Sequence, residues 1–333
     1  MKRKAIVKIA GFLLIFVILL EIFCVLFDGG YWFEKKFIYD RNARMAAFEL
    51  EQKDQINVLN IGDSLSTTSL APMELYRDYG FTSYNLGQDL QTPIESYYAL
   101  KTALKTQPIK AVLYEGHNLF SSTPDFEFPS SLLSESLKTD FPFLRFHYVW
   151  LKYWKPRSIR HYFKGFLVND GHDGYTGGEY YDWNNTERHW INKYYVAVLK
   201  KTVELCRRNG ITFVLYSAPS PVCYHSISIH NSLADLAEEI GVDYLDANYD
   251  RDKIEMDWKT DTHDCGDHLN LSGSRKMTNY LADYLVSNAD LPDHRNDPDF
   301  RNWTDLWDPY AEEIIQMENI YYTILEDQMG FYD

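Results

Sequence analysis

Hydrophobic and polar positions divide the chain into one long apolar block followed by short alternating segments. The block runs from Ile9 to Phe27 and is interrupted only by Gly11 and Glu21. At a helical rise of 1.5 Å per residue it spans roughly 28 Å, about the thickness of a bilayer's hydrocarbon core. Beyond about residue 55 the apolar runs shorten. Strand-like runs fall at Ile56–Ile61, Thr82–Leu86, Ala111–Tyr114, Ile211–Tyr216 and Val242–Leu245. Between them lie helix-like segments at Pro93–Lys105, Trp190–Asn209, Ser232–Ile240 and Ser272–Asn288. Asn209-Gly210 and Ile240-Gly241 supply stop signals just before two of the strands. Short apolar strands separated by amphipathic helices predict an α/β domain with a mostly parallel five-stranded sheet covered on both faces.

Two stretches depart from this alternation. Residues 121–189 form an insertion rich in aromatics, Pro and Gly ("FPFLRFHYVWLKYWKP", "NDGHDGYTGGEYYDW"). A segment of that length inside a compact α/β domain is expected to be a lid or binding loop. The acidic tail, 291–333, predicts a helix near Tyr310–Gln328 whose aromatics dock on the domain. The expected organisation is an anchor over 1–28, a juxtamembrane connector of helical character over 29–55, the α/β domain over 56–290, and the tail.

Charge refines the picture at the N-terminus. Lys2, Arg3, Lys4 and Lys8 precede the apolar block, so this flank is expected in the cytoplasm and the rest outside. A cleaved signal peptide is the rival reading, but Asp28-Gly-Gly-Tyr-Trp follows in place of a small-x-small cleavage site. The expectation is a single-pass membrane protein with an extracytoplasmic domain. A net charge of −15 over 333 residues, with no later basic run, argues against a nucleic-acid partner. With 45% hydrophobic residues a sizeable core is available. Among the four cysteines, Cys24 lies in the apolar block and Cys206 in a helical segment. Cys223 and Cys265 fall in loops, where an extracytoplasmic location permits a bridge.

The candidate chemistry sits at strand ends, because open parallel sheets bind ligands beyond the carboxyl ends of their strands. Ser64 follows the first strand in "NIGDSLSTTS". A nucleophilic serine needs a base, and the base an orienting acid. "DTHDCGDHLNLSG" supplies His268 after a cluster of carboxylates. Taken alone, Gly62-Asp63-Ser64 is also a strand-to-helix turn in which Asp or Ser caps the next helix. Asn270 and Gly273 are expected at the start of the last helix, with Ser272 as its cap. His117, His172 and His189 read as surface or loop histidines. "HDCGDH" contains metal-ligand residue types, but no second cluster with zinc spacing accompanies it, so no metal is expected.

Gly62-Asp63-Ser64 after the first strand, Gly87 in "NLGQ", Gly116-His117-Asn118, and the late loop ending in His268 together resemble the SGNH/GDSL hydrolase superfamily. The resemblance covers roughly Ile56 to Asn288, with the blocks in the family's order. It implies a flavodoxin-like three-layer α/β/α domain, no cofactor, Ser64 as nucleophile and His268 as base. It also implies an oxyanion hole from the Ser64 and Gly87 N–H groups and the Asn118 amide. The family's acid stands three residues before the histidine, where this chain has Cys265. Asp264, four before, is favoured because a one-residue bulge can aim it at the ring; Asp267 and Asp261 are the alternatives.

An anchored domain of this type resembles extracytoplasmic members acting on cell-surface polymers, such as acetylated-polysaccharide enzymes and D-alanyl–lipoteichoic acid biosynthesis proteins. That resemblance implies acyl ester hydrolysis or acyl transfer on an acylated cell-surface carbohydrate or teichoic acid. It further implies a multi-pass membrane O-acyltransferase as partner. The alternative is a non-catalytic, anchored accessory subunit of an envelope-modifying complex, for which His268 should stand far from Ser64. A thioesterase or lipid esterase would instead need a deep apolar pocket.

Overall fold

The computed structural model describes residues 2–121, 125–152, 162–169, 171–182 and 184–317. Contacts divide the chain into two compact units, one of residues 1–51 with 126–160, the other of residues 52–125 with 161–333.

In the first unit, a helix over Lys2–Leu26 leaves its apolar side chains exposed and is long and apolar enough to cross a membrane. Short helices at Gly29–Glu34, Ala43–Phe48 and Phe128–Asp140 bury Met45, Phe48 and Phe146. A Cβ at Gly29 would fall 2.4 Å from the Phe146 ring, so only glycine admits that packing. Arg145 and Glu135 form a buried ion pair at 2.9 Å. Burial, reinforced by Asp28, pushes the Glu49 carboxyl up to about 7.

The second unit carries the sheet, five strands all parallel in the order β2-β1-β3-β4-β5. They are β1 (Val58–Ile61), β2 (Ser83–Asn85), β3 (Ala111–Glu115), β4 (Thr212–Ser217) and β5 (Asp243–Asp246). Each lies within a segment that the apolar pattern predicted as a strand, or within one residue of it. The first three are wholly buried, as strands covered on both faces must be. Helix Pro93–Ala103 packs beside Lys193–Arg208. Helix Leu271–Asn288 packs beside Ser64–Ser69 and Pro72–Tyr79. Right-handed crossovers place these two sets on opposite faces of the sheet. The order reverses direction at β1, so the crevice for a ligand opens beyond the carboxyl ends of β1 and β3.

Some segments depart from expectation for local reasons. Helices Ser64–Ser69 and Pro72–Tyr79 were not marked by the pattern: the first is a run of hydroxyl residues with no 3.6-residue apolar period, and the second is amphipathic but only eight residues long. Helix Ile227–Ile240 starts five residues before the predicted Ser232. The cap of the last helix is Asn270, whose side chain accepts the Gly273 N–H at 3.1 Å; Ser272 instead donates to Asp261 at 2.8 Å. In the tail, helix Arg301–Asp305 precedes a helical stretch that begins at residue 307. Residues 318–328 of the predicted helix lie outside the described residues. The tail's aromatics do dock: Trp303 packs at 5.4 Å from Tyr76, Tyr310 at 5.1 Å from Phe163, and both are fully buried.

Candidate active site

Polar residues interrupt the strands at their carboxyl ends, and they build the floor of the crevice. Asn60 on β1 stands opposite Asn85 on β2. Asn60 donates to the Ser66 carbonyl at 2.7 Å and accepts from the Tyr216 hydroxyl at 2.9 Å. Asn85 donates to the Leu70 carbonyl at 2.7 Å. Two fully buried amides thus tether the short Ser64–Ser69 helix to the sheet. The hydroxyls of Ser66, Thr67 and Ser69 fold back on the carbonyls of Asp63, Ser64 and Leu65, each at 2.7 Å. Such bonds satisfy the hydroxyls of a buried helix that has little room for water.

Gly62 makes the turn out of β1 with φ of 152°, and a Cβ there would lie 2.6 Å from the Glu115 Cβ. Asp63 is the helix cap, accepting the Leu65 N–H at 3.1 Å. The cap reading of Gly-Asp-Ser therefore holds for Asp63, and it sets Ser64 in the first helical position with its hydroxyl uncommitted to the backbone. Ser64 Oγ lies 2.7 Å from His268 Nε2.

Across the ring, His268 Nδ1 lies 2.6 Å from Asp264 Oδ2. The other oxygen of Asp264 accepts the His268 backbone N–H, also at 2.6 Å. Two successive left-handed residues, Cys265 (φ 58°) and Gly266 (φ 93°), fold the loop so that a carboxylate four residues upstream returns to the ring. Asp267 Oδ2 stands farther from Nδ1, at 3.4 Å, and its other oxygen accepts the Cys223 thiol at 2.9 Å. Asp261 is fully buried and holds Lys276 and Ser272, at 2.7 and 2.8 Å, away from the ring. All four cysteines are free, so the bridge permitted between Cys223 and Cys265 does not form. The Cys223 thiol is turned to Asp267, and Cys265 is exposed.

Burial depresses the His268 pKa, but the Asp264 hydrogen bond and the charges of Asp267, Asp264 and Asp63 outweigh it. The imidazole is left above its ordinary value. Asp264 is shifted the opposite way: burial raises it, while hydrogen bonds from the His268 ring and backbone bring it below the usual carboxylate range.

The two other expected blocks lie on the same crevice. The ladder beside β1 uses the Leu86 and Gln88 N–H groups, bonded to Asn60 and Gly62 carbonyls, and leaves out the Gly87 N–H between them. A Cβ at Gly87 would fall 2.0 Å from Ser66 Oγ and 3.0 Å from the Gly62 carbonyl, so this close passage requires glycine. Asn118 is buried; its Oδ1 accepts the Tyr114 hydroxyl at 3.2 Å and its Nδ2 donates to Ser96 at 3.1 Å. A carboxamide has a second N–H, which this pair of bonds does not use.

His117, expected as a surface or loop histidine, lies in the turn after β3 but is not a free surface side chain. It is half-buried, with Nδ1 2.7 Å from Asp63 Oδ2 and its ring edge-on to Tyr224. Behind it lies Glu115, fully buried, which accepts the Tyr224 hydroxyl at 2.5 Å and the His117 N–H at 3.0 Å. Burial and the neighbouring Asp63 push the Glu115 carboxyl up to about 8. The signal in the sequence was a glutamate closing an otherwise apolar strand beside a histidine ("VLYEGH"). His172 and His189 are in loops, as expected.

His263, Asp264 and His268 hold ligand-type atoms within 4.8 Å of one another, a set that could hold a metal ion. Both ring nitrogens of His268 and both oxygens of Asp264 are already engaged, so an ion here would have to break the Ser64–His268–Asp264 chain.

No family model and no curated protein matches the chain. Similar solved structures include a protein from Bacteroides fragilis assigned as an acylhydrolase, 12% identical, covering 73% of this chain and 94% of its own at a TM-score of 0.38. Another is a Streptococcus pneumonia protein assigned as a platelet activating factor, 13% identical, covering 81% and 98% at a TM-score of 0.36. Likeness this remote carries no functional argument, and the reading of the site rests on its own geometry.

Proposed function

We propose that this chain is a serine-dependent acyl esterase or acyltransferase that works through an acyl-enzyme on Ser64. The observation that carries the reading is the unbroken Ser64–His268–Asp264 chain: Ser64, at the start of its helix, meets His268 at 2.7 Å across 204 residues of sequence, and His268 meets Asp264 at 2.6 Å within one loop. As Ser64 Oγ attacks the acyl carbon, His268 Nε2 takes its proton; the imidazolium returns that proton to the departing alcohol as the ester C–O bond breaks. Water, or an acceptor hydroxyl, then gives its proton to His268 as it attacks the acyl carbon; the imidazolium returns that proton to Ser64 Oγ as the Oγ–C bond breaks, releasing an acid or a new ester. Asp264 fixes the ring tautomer and stabilises the imidazolium. The Ser64 and Gly87 N–H groups and the spare Asn118 N–H are the proposed oxyanion donors, each worth about 3–4 kcal/mol of barrier.

The substrate we assign is an acylated carbohydrate or teichoic-acid polymer of the cell envelope bearing acetyl or D-alanyl groups. The N-terminal helix supports this by offering a single-pass anchor, N-terminus inside, that would hold the domain at the outer membrane face. A multi-pass O-acyltransferase in the same membrane is the proposed partner. An accessory role without catalysis would tolerate a distant His268, and the 2.7 Å contact counts against it.

The test is Ser64→Ala in the full chain. Turnover of p-nitrophenyl acetate and labelling by a fluorophosphonate should both disappear; labelling that persists in the variant would refute the nucleophile.

A further inference from the structure

Next to the His268 loop lies an open cleft of about 660 Å³, in the size range of small-ligand sites. Its lining includes Tyr175, Tyr180, Arg251, Asp252, Trp258 and Lys259. The Tyr180 ring meets Tyr175 and Trp258 edge-on, at 6.3 and 6.0 Å between centroids. Arg251 lies over the Tyr180 ring at 5.6 Å and pairs with Glu179 at 2.7 Å. Aromatic rings are therefore held rigidly among charges of both signs.

That lining selects a ligand class. An acyl chain would leave the charged groups of the lining unpaired, and a polyanion would need an excess of cations, whereas here acidic and basic groups are interspersed among the aromatic rings. A neutral polyhydroxylated ring suits both features. Its hydroxyls can donate to carboxylates such as Asp252 and accept from Arg251 or Lys259, while its C–H face lies on an aromatic ring.

The cleft wall and the His268 loop are also one piece of structure. The Tyr175 N–H donates to the Trp258 carbonyl at 2.9 Å, and the Asp173 N–H to the Thr262 carbonyl at 3.0 Å. The Cys265 N–H donates to the Asp173 carbonyl at 2.9 Å. At Gly266, two residues before His268, a Cβ would fall 2.7 Å from the Tyr175 Cβ. A ligand in the cleft thus rests on Tyr175 and Trp258, and Tyr175 in turn packs on Gly266 of the loop that carries His268.

We propose that this cleft is a glycan subsite, holding a neutral pyranose unit of the polymer next to the loop that carries His268. Calling that polymer the substrate rests on the esterase reading; the binding itself does not. The experiment titrates cellotetraose and chitotetraose into the full-length protein, held in a detergent without a sugar headgroup, by calorimetry. Wild type and Ser64→Ala should both bind at least one tetrasaccharide. Trp258→Ala should weaken that binding about tenfold, and Lys259→Ala, an exposed position that folding tolerates, should weaken it several-fold. Binding of neither sugar by the wild type overturns the proposal. So does unchanged binding in Lys259→Ala together with unchanged binding in a Trp258→Ala of native circular dichroism; if Trp258→Ala does not fold, Lys259→Ala decides alone. Turnover of p-nitrophenyl acetate is read separately: binding without turnover removes the esterase reading and leaves the subsite, and turnover without binding does the reverse.

Discussion

Asp264 and Asp267 both approach His268, at 2.6 and 3.4 Å, and only the first also grips the backbone N–H. Asp264→Asn should therefore lower kcat by about 10³–10⁴, the cost of losing the correct tautomer, and Asp267→Asn by much less. Steady-state rates on p-nitrophenyl acetate give the ranking, and the reverse order would make Asp267 the acid. In the proposed role of base, His268 works only when neutral, so kcat/KM should rise with pH through a His268 pKa above the ordinary imidazole value. Removing the Asp264 carboxylate withdraws a hydrogen bond and a charge that favour the imidazolium. The residual activity of Asp264→Asn should thus show its acidic limb at lower pH than wild type.

The turn between β1 and the Ser64 helix concentrates strain and burial in a few residues. Gly62→Ala would place a methyl group against Glu115 in a backbone region that favours glycine, at a cost of about 2–4 kcal/mol, read as a lower Tm. Glu115 carries a pH dependence of known sign. Its folded carboxyl is raised, so the stability it contributes is complete below its unfolded value of 4.5 and is lost as pH rises toward about 8. The charges facing it are Asp63 and His117. Glu115→Gln keeps the shape without the titration, so its Tm should gain on wild type between pH 5 and pH 8. A constant Tm difference across that range would show that Glu115 stays ionised.

For the whole molecule, the exposed apolar helix Lys2–Leu26 is the feature that water alone does not accommodate. The full chain should remain with membranes through alkaline carbonate extraction. With the proposed orientation, externally added protease should reach the domain in intact cells or spheroplasts. Release by carbonate would exclude a spanning helix.

The sequence by itself determined the sheet and its neighbours in the chain. Apolar runs located all five strands, because strands buried on both faces leave little room for polar side chains. Ser64, Gly87, Asn118 and His268 were legible as an ordered set of short blocks, and the crevice beyond β1 and β3 is where a parallel sheet with this strand order places them. The hydroxyl-rich helix at Ser64–Ser69 was not legible, since its stability comes from Asn60, Asn85 and back-bonding hydroxyls in place of an apolar stripe. Nor could spacing choose among Asp261, Asp264 and Asp267. Only the left-handed turn at Cys265-Gly266, formed against Tyr175 and Pro221, brings Asp264 to the ring, while Lys276 and Ser272 hold Asp261 inward. His117 escaped for the same reason: its partner Asp63 lies 54 residues away, and folding alone makes them neighbours.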